Sequence, residues 1–381
     1  MRIALVCNYP WDPDVIPGGV TAVAHCLARG LAGLPDVDLH VVCCQQDVPS
    51  DCHTVRDGAT IHFLTDPYRF SQPLRMRPQR RKVARLLKEI RPDLVHAQGL
   101  GLPAACALDS DLPSLVTVHG IFWREPNEAP SVVTRLGNRF RAAWGRGQFK
   151  VLRNVVVTSG YVGTLLPSSP DLRTWVINNP VSDELFAIEN RPDRPHVLVV
   201  GGLRRRKDPL TSLRVMERVL RDLPNATMHL LGVPSGTPLD TAVARHIAAR
   251  GLGEHIRLLG LVPSSVLREE YGRASLLLMP SLEETAPVAL GEAHAVGLPM
   301  VGTAAGGIPY LIREGETGFV RPVGDVEGLA ERVLAILRDD GLRHRLAGRA
   351  RQIGRAEFAL APIAQRTAGV YREILGGSAG A

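Results

Sequence analysis

At 381 residues the chain is longer than the usual single domain, so two domains are the first expectation. Its 45% hydrophobic and 22% charged residues are those of an ordinary soluble globular protein, with apolar material for two cores. The formal charge of +7 asks for an anionic partner and leaves nucleic acid, a phosphate-bearing substrate and an acidic membrane surface open.

The chain begins with an apolar stretch, Ile3–Cys7, too short for a signal-peptide core and suited to a first strand. Further strands are expected at Leu39–Cys43, Ile61–Leu64, Leu94–His96, Ser114–Val118, Val155–Thr158 and Trp175–Ile177. Helical patterns fall between them at Val20–Leu31, Gln79–Ile90 and Val132–Leu152. Residues 179–195, with three prolines, many charges and no period, read as a linker. A second series of strands follows: Val197–Val200, Thr227–Leu231, Ile256–Leu259, Leu276–Met279 and Met300–Gly302. Apolar strands alternating with helices imply βαβ units and parallel sheets covered on both faces. The tail from Ala361 to Leu375 is helical again, and the small-residue end is expected to fray. No run is long enough to cross a bilayer, so we expect a cytoplasmic protein, at most peripheral at the inner membrane face.

All six cysteines lie in the first third, without a C-x-x-C or zinc-ligand spacing, and read as buried free thiols. That usage fits a reducing compartment. Adjacent Cys43 and Cys44 are expected to point to opposite faces of a sheet.

Parallel sheets bind ligands at the carboxyl ends of their strands, so the loops there carry the argument. After the first strand, Gly18 and Gly19 open a helix, either as a tight turn or as an approach for an anion to free N–H groups. A dinucleotide fingerprint is absent, because the second strand ends in Cys43, Cys44 and Gln45 rather than an acid. His119 and Gly120 follow Val118 at another strand end, where a histidine is structural or faces a ligand. In the second series Gly201, Gly202 and Leu203 lead into Arg204, Arg205, Arg206 and Lys207, before a helix expected near Asp208 and Pro209. Four cations in a row are either a solvated face or a diphosphate site. The stretch Pro280–Pro287 then opens a helix with Thr285 as its expected cap and Pro287 in its first turn. On a helical path Glu284 and Glu292, eight residues apart, face one cleft, while the N–H groups near Val288 and Ala289 meet a phosphate. Two carboxylates beside an anion repel it unless they accept hydrogen bonds from sugar hydroxyls, which points to a nucleotide sugar; otherwise they are a solvent-facing pair.

Together MRIALVCNYP, the glycine pair, TVHG, VVGGLRRRKDP, PSLEETAPVALGEAHAVGLPM and AAGGIP resemble the retaining glycosyltransferases of the large family four group. The resemblance covers nearly the whole chain, and E-x(7)-E followed by A-x-G-x-P and G-G-I-P is its most specific part. It implies an α/β GT-B fold of two doubly wound Rossmann-like domains facing across a cleft. Residues 1–183 would be the acceptor-side domain, with the helix 357–381 packing back on it, and 184–356 the nucleotide-sugar domain. It further implies that Gly18 and Gly19 lie against the donor phosphates or the acceptor side, that His119 touches the transferred sugar, and that Arg206 and Lys207 bind the leaving diphosphate. Glu284 would position the sugar hydroxyls, the N–H groups at Val288 and Ala289 the phosphates, and Glu292 the ribose. Neither a metal nor a cofactor is implied beyond the nucleotide-sugar co-substrate; the donor phosphate itself takes the acceptor proton, and configuration is retained.

Two positions depart from the family pattern. Gly202 stands where an arginine is usual, with Arg204 or Arg205 as substitutes, and Tyr310 stands in the acidic position of G-G-I-P-E. A nucleotide-sugar epimerase, a phosphorylase or a nucleotide-binding protein without turnover are the rival readings. Residues 69–91 carry nine Lys/Arg against one acid, and residues 135–153 six and none, interleaved with Phe140, Trp144 and Phe149. This surface suits an anionic membrane, a soluble anionic acceptor or plain solvent. Nucleic acid is not expected, since no recognition motif accompanies the charge. A sugar, a lipid-linked group and a secondary metabolite are all open as acceptor.

Overall fold

A computed structural model describes the chain except for residues 13–15, 17, 47, 67–74, 122, 125–131, 235 and 379–381. The first part of the basic stretch 69–91 lies outside the described residues. The chain divides into two units, Met1–Pro180 with Leu360–Ala381, and Val181–Ala359. The boundaries expected at 183/184 and 356/357 each lie three residues from these.

The first unit runs β1 (Arg2–Val6), α1 (Gly19–Ala32), β2 (Asp38–Gln45), β3 (Cys52–Arg56), β4 (Ala59–Thr65), α2 (Arg77–Ile90) and β5 (Leu94–Gln98). It continues with α3 (Leu102–Leu108), β6 (Ser114–Val118), α4 (Val132–Phe149), β7 (Asn154–Val157), α5 (Gly160–Gly163) and β8 (Arg173–Val176). The sheet order is β3-β4-β2-β1-β5-β6-β7-β8, parallel throughout except for the antiparallel edge pair β3 and β4. Its two faces bury separate cores. One holds Ile3, Leu5, Leu39, Val41, Cys43 and Phe63, and the other Ala4, Val6, Val42, Cys44, Val95 and Val116. Cys43 and Cys44 thus do point to opposite faces. Five cysteines are buried, but Cys52 on the edge strand β3 is exposed, which corrects the reading of all six as buried.

In the second unit β9 (His196–Val200), α6 (Pro209–Asp222), β10 (Thr227–Leu231), α7 (Pro238–Ala249), β11 (Ile256–Gly260) and α8 (Ser264–Arg273) come first. They are followed by β12 (Leu276–Met279), α9 (Val288–Val296), β13 (Met300–Thr303), α10 (Ile308–Leu311) and β14 (Gly318–Arg321). Two helices, α11 (Val326–Arg338) and α12 (Asp340–Glu357), close the unit, and α13 (Leu360–Ser378) belongs to the first. The sheet is fully parallel in the order β11-β10-β9-β12-β13-β14. In each unit the first strand lies inside the sheet and later strands are added on both sides of it, β2 and β5 beside β1 and β10 and β12 beside β9, which makes a topological switch point where loops part and leave a crevice. That rule selects the loops after β1 and β5 in the first unit, and after β9 and β12 in the second.

Residues 181–195 are not a free linker. Val181 and Leu185 are buried in the second core, and Asn190 donates to the carbonyls of Tyr271, Gly272 and Ala274. Two apolar side chains and one amide are enough to fasten a segment that shows no period. In the first unit α13 lies against α1, where Gly30 admits Ala364: a Cβ on Gly30 would sit 3.1 Å from that methyl group. No helix among the described residues is long and apolar enough to cross a membrane.

Candidate active site

The loop after β9 is shaped by its glycines. Gly201 has φ of 144° and Gly202 of 76°, a region that side chains avoid. A Cβ on Gly201 would meet the Lys207 side chain at 2.6 Å, so the bare backbone is what lets Lys207 fold back over the loop. Residues Arg205–Lys207 make one 3-10 turn, and Asp208 caps α6 by accepting from the Thr211 amide and hydroxyl. This loop is tied to the one after β12, because the Leu282 N–H donates to the Arg206 carbonyl at 2.7 Å.

Across that tie Arg206 Nη1 lies 2.8 Å from Glu284 Oε2, and Lys207 Nζ lies 2.6 Å from Oε1. Ser281 Oγ donates to Oε1 as well, at 3.1 Å, and the Gly307 N–H of the G-G-I-P turn donates to the Glu284 carbonyl at 2.7 Å. The side chain of Glu284 is only 4% exposed, yet it is not raised toward protonation. Burial pushes its pKa up, but Lys207 and Arg206 outweigh burial and hold it below the ordinary carboxylate value. The sequence expectation was that sugar hydroxyls relieve the repulsion of this carboxylate; the structure relieves it with two cations. Arg206, Lys207 and Glu284 together carry a net charge of +1.

Glu292 is held differently. It projects from α9 and accepts from the hydroxyl of Tyr271, a fully buried residue of α8, at 2.6 Å. Burial raises its pKa, opposed by the Tyr271 hydrogen bond and the charge of Lys207. Sequence reasoning missed Tyr271, since one tyrosine on a mostly polar helix carries no signal of its partner. The helix itself starts later than expected. Pro287 is the N-cap of α9, no side chain caps it, and Thr285 stands outside. Glu284 is therefore on a loop, and a helical spacing between it and Glu292 does not apply. Val288 and Ala289 are the first two helical residues, whose N–H groups have no acceptor within the helix. Ala289 is itself buried.

The usual arginine at position 202 is excluded here, not merely missing. At φ of 76° a Cβ would lie 2.5 Å from the Val233 carbonyl oxygen. Of the two substitutes considered, Arg204 and Arg205 are both exposed, and Arg204 is the one whose charge acts on Lys207. Tyr310 is exposed on α10.

In the first unit Gly18, at φ of 86°, is the N-cap of α1, and Gly19 is its first residue. His119 follows β6 and is half-buried. Its Nε2–H donates to Gln98 Oε1 at 2.7 Å, and Gln98 Nε2 donates to His96 Nε2 at 2.9 Å. Thr117 Oγ1 lies 2.8 Å from the same His96 nitrogen, and His96 Nδ1 lies 2.7 Å from the Tyr371 hydroxyl of α13. Burial pushes the pKa of His119 down to about 4, against a hydrogen bond with Asn179, and that of His96 to about 3. The chain of groups is thus neutral at neutral pH. It connects the last helix to the histidine that follows β6.

The sequence-predicted residues fall into two sets. The second unit brings together Arg206, Lys207 and Glu284, with Glu292 and the start of α9 in the same unit. The first unit carries Gly18, Gly19 and His119.

Comparison with known proteins finds two families along the chain. Residues 17–185 match the family described as Glycosyltransferase Family 4, and residues 181–353 the family described as Glycosyl transferases group 1. The N-acetyl-alpha-D-glucosaminyl L-malate synthase of Bacillus anthracis is 33% identical over 119 residues, which span 31% of this chain and 31% of that protein. Sucrose-phosphate synthase from Thermosynechococcus elongatus shares the fold with a TM-score of 0.78 at 20% identity, covering 99% of both chains. The HepE protein of Anabaena, in complex with UDP and glucose, shares it with a TM-score of 0.71 at 18% identity, covering 97% of this chain and 99% of that one. From residue 17 to residue 353 the chain is matched throughout, and it belongs to the family 4 and group 1 glycosyltransferases of the GT-B fold.

Proposed function

We propose that the chain transfers a hexosyl-type sugar from a nucleotide diphosphate sugar to an acceptor hydroxyl with retention of configuration. The observation that carries this reading is the convergence of Arg206 and Lys207 on buried Glu284 at the switch point of the second sheet. Glycosyl transfer builds negative charge on the departing diphosphate, and fixed cations stabilise that charge without reorganising. Glu284 holds both cations in place, and their net charge of +1 remains for the phosphates. In this scheme Arg206 and Lys207 do what a metal ion does in other transferases, so the reaction is expected to run without one.

The first N–H groups of α9, at Val288 and Ala289, meet the phosphates. Glu292, held by Tyr271 at one oxygen, accepts the ribose hydroxyls with the other. His119 contacts the transferred sugar, in a neutral form suited to hydrogen bonding with a hydroxyl. Gly18 and Gly19 leave room for an anion or an acceptor at the start of α1. The departing phosphate oxygen takes the acceptor proton on the face from which it leaves, so no protein base is assigned. The UDP bound by the similar HepE protein makes UDP-sugars the first donors to test.

For the acceptor side, α4 supports contact with an anionic membrane surface. It carries Arg135, Arg139, Arg141 and Arg146 and no acid, and a mostly apolar groove of about 370 Å³ beside it is lined by Phe140, Ala143, Trp144, Gly147 and Val151, with Arg75 and Gln148. Cations around an apolar groove suit headgroups and chains of acidic lipid. Co-sedimentation with phosphatidylglycerol vesicles, lost at high salt, is the expected result; no binding at low salt removes this part of the reading.

The transfer reading itself is tested by incubating the protein with UDP-, GDP-, ADP- and TDP-sugars and a panel of acceptors. Acceptor-dependent release of one nucleotide diphosphate, with a product of unchanged anomeric configuration, is expected. Epimerised donor without nucleotide release, or binding without turnover, contradicts it.

A further inference from the structure

At the end of the second sheet where the strands begin, three side chains meet beneath α8. His196 opens β9, His229 stands on the neighbouring β10, and Glu270 reaches in from α8. Four residues of extended strand separate His196 from the end of β9, roughly 13 Å from the loop that carries Arg206 and Lys207. His229 Nδ1 lies 2.7 Å and His196 Nε2 3.5 Å from the same oxygen, Glu270 Oε2. All three ligand atoms lie within 4.8 Å of one another. The side chains are 12%, 3% and 4% exposed for His229, His196 and Glu270.

Outer contacts fix two of the three. Thr227 Oγ1 takes Nδ1 of His196 at 2.9 Å, which leaves Nε2 turned toward the cluster. Arg273 approaches the other carboxylate oxygen, Oε1, at 3.4 Å, which leaves Oε2 to the histidines. Nε2 of His196 is buried, and its polar neighbour is Oε2 of Glu270 at 3.5 Å, too long for a good hydrogen bond. A ring nitrogen so weakly met at such depth is better satisfied by a ligand that sits between it and the carboxylate. Two imidazole nitrogens and a carboxylate oxygen converging on one point, two of the three oriented by an outer partner, are the donor set of zinc and its neighbours. Magnesium and calcium ask for oxygen alone.

We propose that His196, His229 and Glu270 form a binding site for a divalent transition metal of the zinc type. The ion bridges β9, β10 and α8, elements that are distant in sequence, and a water fills the fourth position of its tetrahedron. Being away from the loops at the other end of the strands, the site acts on the stability of the second unit and not on transfer. Because the unfolded chain does not hold the three ligands together, the metal stabilises the fold by mass action.

The full chain, stripped of metal with a chelator, is titrated with Co²⁺ and then Zn²⁺. The expected result is the intense visible absorption of four-coordinate Co²⁺, saturating at one equivalent, displaced by Zn²⁺, with a zinc-dependent rise in melting temperature. His229→Gln and Glu270→Gln are expected to weaken binding at least tenfold. His62→Gln, which disrupts the His40–His62 contact on the first sheet, is expected to leave it unchanged. If the Glu270 variant does not fold, the spectrum and melting of the unaltered chain still decide. Absence of the Co²⁺ bands in that chain, or their survival in His229→Gln, overturns the proposal.

Discussion

The two units bury polar groups beside their strand ends in opposite ways. In the first, His119, Gln98, His96 and Tyr371 form a neutral chain of hydrogen bonds. In the second, Arg206 and Lys207 close on Glu284 as full charges. A neutral chain can fix the direction of one ring, and losing a link costs about the worth of one hydrogen bond. A buried ionic cluster holds positive charge ready for an anion, but it fails badly if one member is removed. The contrast assigns positioning to the first unit and charge compensation to the second.

Glu284→Ala tests the charged side most severely. It leaves Arg206 and Lys207 facing each other half-buried, and we expect a loss of about 3–5 kcal/mol in unfolding free energy, read by urea denaturation. The pH dependence has a definite sign. The folded pKa of Glu284 is lowered, so its stabilisation is full above the unfolded carboxylate value and is lost as pH falls through the depressed one. Glu284→Gln should remove that acid limb of the stability profile; an unchanged limb would place the titration elsewhere.

Lys207→Ala should lower the turnover rate by about a hundredfold at saturating donor, with partial recovery in Lys207→Arg. A wild-type rate would show that the cation does not meet the leaving group. Glu292→Ala is expected to weaken nucleotide diphosphate binding by about 2 kcal/mol, measured calorimetrically. Since the folded pKa of Glu292 is raised by burial, its accepting carboxylate form is lost as pH falls through that raised pKa. Nucleotide affinity should decline there in the unaltered protein and stay flat in Glu292→Gln. Tyr371→Phe should have the smallest effect, about 1 kcal/mol of stability and no change in nucleotide affinity. A large loss of nucleotide binding in that variant would break the division between the units.

The strands were legible because burial on both faces writes near-continuous apolar runs, as in Ile3–Cys7 and Leu276–Met279. β3 and β14 were not, since Cys52–Arg56 is an exposed polar edge and Gly318–Arg321 a short strand of mixed polarity, neither carrying such a run. Arg206, Lys207, Glu284 and Glu292 were legible by their position after strands and by their motif. What held them was not. The ion pairs to Glu284 join residues 78 and 77 positions apart, and the Tyr271 hydroxyl finds Glu292 from another helix. Local pattern records which face a residue takes, not which distant group it will meet. The α9 start was misread for a related reason: Thr285 has a capping side chain, but Pro287 sets the backbone two residues later.

The most direct test is thermal stabilisation by UDP, GDP, ADP and TDP, compared between the unaltered protein and Lys207→Ala. Ligand that binds only the folded state raises its stability with the logarithm of saturation. A clear shift with one nucleotide, strongly reduced in the variant, is the predicted result. No shift with any of the four, or an equal shift in both proteins, would contradict the claim that this charged cluster receives the diphosphate.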